Sequence, residues 1–234
     1  MIPLLLLAAA GLPEQSIGIL IDRAISDPGV SYLVLDTRSG QVIASRWPDP
    51  QRPIPVGSLV KPFTAFAYGE THAFEYPEYG LNLEQAIAQS WNPYFHQLAQ
   101  GVDPDALNAV CRRLGLPVPS KLQGLTGMGD SWKMSPLDLT RAFGRLAGDA
   151  RAHAILAGMR QAAQVGTAKG VGGNALAKTG TAECSHVPRQ AGDGLTIALF
   201  PAEAPRYTVL VRKEGTTGAN AAVVAGRIRT LVLP

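Results

Sequence analysis

Apolar positions return at helical spacing through "PEQSIGILIDRAIS", so this stretch reads as an amphipathic helix opened by Pro13. The period then shortens to two. "VSYLVLDTRSGQVIAS" alternates, is rich in β-branched residues and carries the turn signal Thr37-Arg38-Ser39-Gly40 between its halves, which predicts a β-hairpin. From about residue 58 to 165 the chain is Ala/Leu-rich and helical in period, interrupted by Pro and Gly loops such as "GLPVPSKLQGLTGMGD". Alternation comes back in "NALAKTGTA", "DGLTIALF" and "RYTVLVRK", and "ANAAVVAGRIRTLVL" closes as a helix. Two strands, a helical insert, three more strands and flanking helices predict an α+β fold with one antiparallel sheet drawn from both ends of the chain.

Composition narrows the functional classes. With 234 residues, 46% hydrophobic and 17% charged, the chain can bury one substantial core, divisible into two subdomains. Its 21 Lys+Arg against 18 Asp+Glu give a net charge of +3, without a basic run or basic-aromatic alternation, so no nucleic-acid partner is expected. The histidines, His72, His96, His153 and His186, are scattered and follow no metal-ligand spacing, so no metal is expected. Cys111 and Cys184 could form one bridge or remain two thiols. The opening "MIPLLLLAAAGLPEQ" reads as a signal peptide over residues 1–12 and predicts export, although no Lys or Arg precedes its apolar run; a misplaced start or a buried N-terminal segment is the alternative.

The chemistry centres on "GGNALAKTGTAE". Read as a phosphate loop it fails, because Ala177 replaces the second glycine of G-x-x-x-x-G-K-[ST] and Lys178-Thr179 sits in a strand-like run rather than at a helix N-terminus. Read as the Lys-Thr-Gly strand of a serine acyltransferase, it requires a nucleophile elsewhere. "PVGSLVKPF" supplies Ser58 and Lys61, and a helix starting near Ser58 would stack both on one face, with Pro62 in its first turn. Burial of Lys61 among Leu59, Val60, Phe63 and Phe66 would favour its neutral, proton-accepting form. "AQSWNPYF" adds Ser90 and Asn92, a hydroxyl able to relay a proton and an amide able to orient a carbonyl, in a pattern that is otherwise a plain helix cap. No nucleophile elbow is present, since Val56 and Val60 stand where G-x-S-x-G has glycines.

The order Ser58-x-x-Lys61, Ser90-x-Asn92, Lys178-Thr179-Gly180 resembles the penicillin-binding protein transpeptidases of the serine β-lactamase-like superfamily. Four further stretches look like that family, the hairpin "VLDTRSGQVIA", "MSPLDLTRAFGRLAG", "GMRQAAQVGTAKG" and the closing "GTTGANAAVVAGRI", as does "ALAKTGTAE" around the third motif. The resemblance implies a five-stranded antiparallel sheet flanked by helices, with residues 13–57 and 171–234 in the sheet subdomain and 58–170 in an all-helical one. It implies Ser58 as acylated nucleophile, Lys61 as base, and Ser90 with a positively charged Lys178 as relay to the leaving amine. Thr179 and Thr181 would hold the substrate carboxylate, Asn92 the acyl carbonyl, and the amides of Ser58 and Thr181 the oxyanion. Gly180 would let a peptide lie along the strand. No cofactor is implied; the expected partners are D-Ala-D-Ala-type peptidoglycan stem peptides and β-lactams, met in the periplasm or at the outer face of the cytoplasmic membrane. The chain departs from full-size members in its short intervals between motifs and in "LTIALFP", which lacks Trp-Phe. A serine β-lactamase or a non-enzymatic sensor of the same fold is the alternative, but Pro104 occupies the position of the class A deacylating Glu, and Asn92 that of the class D Val.

Overall fold

The structure, a computed structural model, describes residues 14–74, 80–128, 132–183 and 192–233. The proposed signal segment, residues 1–12, and Cys184 lie outside the described residues. Helix α1 (Glu14–Ala24) begins the described chain and buries Ile17 and Ile21, with Ile25 just beyond its end. Strands β1 (Val30–Asp36) and β2 (Val42–Ser45) form the expected hairpin. Its turn is held by Asp36 Oδ1, which accepts from the Ser39 amide at 2.7 Å and the Ser39 hydroxyl at 2.8 Å. After the insert come β5 (Leu176–Ala182), β6 (Asp193–Phe200), β7 (Tyr207–Lys213) and helix α8 (Gly218–Val232).

These strands build one antiparallel sheet in the order β2-β1-β7-β6-β5. The N-terminal hairpin joins the last strand, with Leu33 opposite Leu210, and β5 lies at the far edge. Alternation decides which side chains face which layer. On β6, Leu195, Ile197 and Leu199 join the core shared with the helical insert, while Ala198 and Phe200 join the core beneath α1 and α8. The result is three layers: two terminal helices, the sheet, and the insert.

The insert contains α2 (Lys61–Gly69), α3 (Leu83–Gln89), α4 (Asn92–Gln100), α5 (Pro104–Leu114), α6 (Pro136–Ala147) and α7 (His153–Gln164), with a short ribbon pairing β3 (Ile54–Pro55) to β4 (Lys133–Met134). Its helices start where side chains satisfy free amides. Asn82 and Gln85 close a capping box on α3, Asp103 caps α5 ahead of Pro104, and Ser135 caps α6 ahead of Pro136. Cys111 is a free thiol buried in α5. No described helix is long and apolar enough to cross a membrane.

Candidate active site

Ser58 lies not on a helix but in a 3-10 turn, Gly57–Val60, directly before α2. This differs from the helix expected to start near Ser58, and Pro62 explains the difference. Having no N–H, Pro62 cannot donate to Ser58 O across an α-helical turn, so the Lys61 amide makes the tighter three-residue bond to that oxygen instead. Two close backbone contacts fix the turn. Gly57 has φ +53°, and a Cβ there would lie 2.4 Å from Thr181 O; a Cβ on Gly127, φ +72°, would lie 2.5 Å from Gly57 O and 2.8 Å from Ser58 Cα. The Ser58 turn is thus clamped between β5 and the 3-10 turn Leu122–Thr126, which Gly127 closes. The Ser58 hydroxyl, half-buried, makes no hydrogen bond to a described residue.

Lys61 is fully buried at the start of α2. Its ammonium nitrogen Nζ donates to Ser90 O at 2.8 Å, Ser90 Oγ at 3.2 Å and Asn92 Oδ1 at 2.5 Å, and stands 5.2 Å from the Phe95 ring centroid. Burial lowers its pKa to about 7. Ser90 closes α3 with φ 55°, the one non-glycine residue with positive φ among the described residues. The turn is completed by the Trp91 amide donating to Ala86 O at 2.9 Å, a Schellman-type ending that ordinarily takes glycine. Asn92 begins α4, so one tight corner presents both Ser90 and Asn92 to Lys61.

Lys178 approaches the same corner from β5. It is fully buried, and its Nζ donates to Ser90 Oγ at 2.8 Å and to Thr179 O at 2.8 Å. Burial first, and the Lys61 charge second, hold its pKa well below the usual lysine value. Lys178, expected to supply positive charge, is thus an amine whose charged form is disfavoured by burial and by the Lys61 charge beside it, and both amines donate to the one Ser90 hydroxyl. Thr179 donates to Thr167 Oγ1 at 2.6 Å, and Thr181 Oγ1 accepts from the Gly218 amide at 3.3 Å. A Cβ on Gly180 would lie 2.8 Å from Val56 O, so glycine is what lets β5 lie against the Ser58 turn.

A cleft of about 500 Å³ gathers Ser58, Ser90, Asn92, Thr179, Gly180 and Thr181, with Lys61 and Lys178 beneath its floor. Every residue given a catalytic or binding role in the sequence is therefore brought to one place. Thr167, Gly127, Met128, Thr217, Gly218 and Ala219 also line it and were given no role from sequence. Thr167 and Thr217-Gly218 fall inside stretches already noted, "GMRQAAQVGTAKG" and "GTTGANAAVVAGRI"; Gly127 and Met128 carried only a loop signal. Among the described residues no group of three His, Cys, Asp or Glu could hold a metal ion.

A family model, penicillin binding protein transpeptidase domain, matches residues 66–230; the match takes in Ser90, Asn92 and Lys178–Thr181 and begins after Ser58 and Lys61. Comparison with curated proteins finds no match. Among solved structures, the transpeptidase domain of the FtsI4 D,D-transpeptidase from Legionella pneumophila superposes with a TM-score of 0.75 at 20% identity, over 94% of this chain and 96% of that one. Pseudomonas aeruginosa PBP2, in complex with WCK 5153, gives 0.78 at 19% identity over 94% and 74% of the two chains. Penicillin-binding protein A of Mycobacterium tuberculosis, as a ceftriaxone acyl-enzyme complex, gives 0.76 at 18% identity over 96% and 79%.

Proposed function

Because the chain belongs to the penicillin-binding protein transpeptidase domain family, we propose that it is a serine DD-transpeptidase or DD-carboxypeptidase acting on D-Ala-D-Ala-type stem peptides through a Ser58 acyl-enzyme. The observation that carries this reading is Ser90 Oγ, held 3.2 Å from Lys61 Nζ and 2.8 Å from Lys178 Nζ in the cleft that Ser58 lines. Neutral Lys61 takes the Ser58 proton as Oγ attacks the peptide carbonyl. The C–N bond breaks as the departing nitrogen takes the Ser90 proton, and Ser90 is reprotonated from the Lys61 ammonium. Lys178 supports the charge passing through Ser90 by hydrogen bonding to its Oγ. The carbonyl oxygen, negative in the transition state, is received by the amides of Ser58 and Thr181, whose peptides are pressed together at Gly57. Thr179 and Thr181 hold the terminal carboxylate, Asn92 the acyl carbonyl, and an amine or water then releases the acyl group. The same chemistry makes β-lactams covalent inhibitors. Since stem peptides lie outside the cytoplasmic membrane, the reading places the enzyme there.

Incubation with a fluorescent penicillin followed by intact-protein mass spectrometry tests this. Wild type should gain one adduct mass and Ser58→Ala none. An adduct on Ser58→Ala, or a folded wild type that stays unmodified, would overturn the proposal.

A further inference from the structure

Thr167 lines the cleft yet has no part in the reaction proposed above. It stands shortly after α7, where two other elements meet. Its amide donates to Ala88 O in the last turn of α3 at 3.0 Å, its hydroxyl reaches the same oxygen at 3.4 Å, and that hydroxyl lies 2.6 Å from Thr179 Oγ1 on β5. Gly166 permits the crossing, because a Cβ there would run into Ala88 O. One side chain therefore ties the end of the helix that leads to Ser90 to the strand that carries Thr179.

These bonds are unequal. Ala88 O is among the carbonyls that a helix leaves without an internal partner, and the Thr167 amide already satisfies it. The hydroxyl adds only a bond at the outer limit of useful length, whereas its contact with Thr179 is short.

The direction of the short bond matters. A hydroxyl carries one proton and can both donate and accept, while a carboxylate only accepts. Thr179 donates to Thr167, so its proton is directed away from any carboxylate. If Thr179 is to hold one, its proton must turn, and its oxygen, on a residue only 5% exposed, then needs a new donor. Thr167 can become that donor by rotating its own proton from Ala88 O to Thr179 Oγ1. The rotation gives up only the 3.4 Å bond, since Ala88 O keeps the amide. A hydroxyl that accepts while it donates is also the stronger donor.

We propose that Thr167 is a positioning residue for the terminal carboxylate: its hydroxyl takes over as donor to Thr179 Oγ1, which frees the Thr179 proton for the carboxylate while the oxygen keeps its place on β5. This rests on the acylation reading above and on the carboxylate role given there to Thr179. Thr181 is placed separately, by the Gly218 amide, so loss of the Thr167 hydroxyl weakens carboxylate recognition without abolishing it.

The test compares second-order acylation of Ser58 by benzylpenicillin and by its methyl ester, which lacks the anionic carboxylate, with the adduct read by intact-protein mass spectrometry. The ratio of the two rates on one protein is independent of the fraction folded. Wild type should favour benzylpenicillin by roughly a hundredfold. Thr167→Val, close in shape but without the hydroxyl, should lose on the order of tenfold of that preference, and Thr167→Ser should retain most of it. A wild type indifferent to the carboxylate, an unchanged ratio in Thr167→Val even if both rates fall, or a ratio lost equally in Thr167→Ser overturns the assignment while leaving Ser58 acylation intact. No Ser58 adduct with benzylpenicillin removes the acylation reading itself.

Discussion

A lysine is a cation by default, and burial of the Lys61 nitrogen, which lowers its pKa to about 7, is what the proposed role as base requires. Acylation of wild type should rise with pH through about 7 and level off above it, as stopped-flow with a fluorescent penicillin would record. Lys61→Arg should lose at least about a thousandfold, because a guanidinium stays protonated across that range; acylation at the wild-type rate would remove Lys61 as base. The same shift has a stability consequence with a definite sign. The folded value lies below the ordinary 10.5, so between about pH 7 and 10.5 the unfolded chain binds more protons and stability rises with pH. Replacing Lys61 by Met should flatten that rise by up to about 2–3 kcal/mol between pH 7.5 and 9.5, measured as the difference in urea unfolding at the two values.

Ser90 ends α3 in a left-handed conformation that a side chain tolerates poorly, which separates its structural cost from its chemistry. Ser90→Gly relieves the backbone and Ser90→Ala does not, so the glycine variant should be the more stable by about 0.5–1 kcal/mol in thermal unfolding. Both lose the hydroxyl that links Lys61 to Lys178, and both should acylate about a hundredfold or more slowly. Equal acylation by Ser90→Gly and wild type would exclude the relay. The elements themselves were legible in the chain: alternation marked the hairpin and β5 to β7, and helical period marked the insert, though not where each of its helices starts. The 3-10 turn at Ser58 was not, because it depends on a bond that Pro62 fails to make. Gly127 escaped notice for a related reason. A glycine chosen for close backbone approach has no side chain to announce what it touches, whereas Lys178-Thr179-Gly180 declares itself by residue type. Gly127→Ala, whose Cβ would meet Gly57 O and Ser58 Cα, should shift the nucleophile and lower acylation about a hundredfold.

Across the molecule, the reactive groups are held by the layer boundary rather than by any one element: Ser58 and Lys61 come from the insert, Lys178 from the sheet, and β5 is fixed laterally by β6. Strand β6 is buried along its whole length and hydrogen-bonded on both sides, so its amides should exchange most slowly in hydrogen-exchange mass spectrometry. The sheet order has a further effect in time. The hairpin pairs β1 with β7, bringing Thr37 within 2.9 Å of Thr208 across 171 positions of sequence. A ribosome that has made the hairpin, the insert and even the Lys-Thr-Gly strand has not yet made the strand that joins them. Until residue 213 leaves the exit tunnel the hairpin has no partner in the sheet and β6 lacks one of its two neighbours. The sheet whose edge strand carries Lys178 is therefore complete only when the strand made last has joined it.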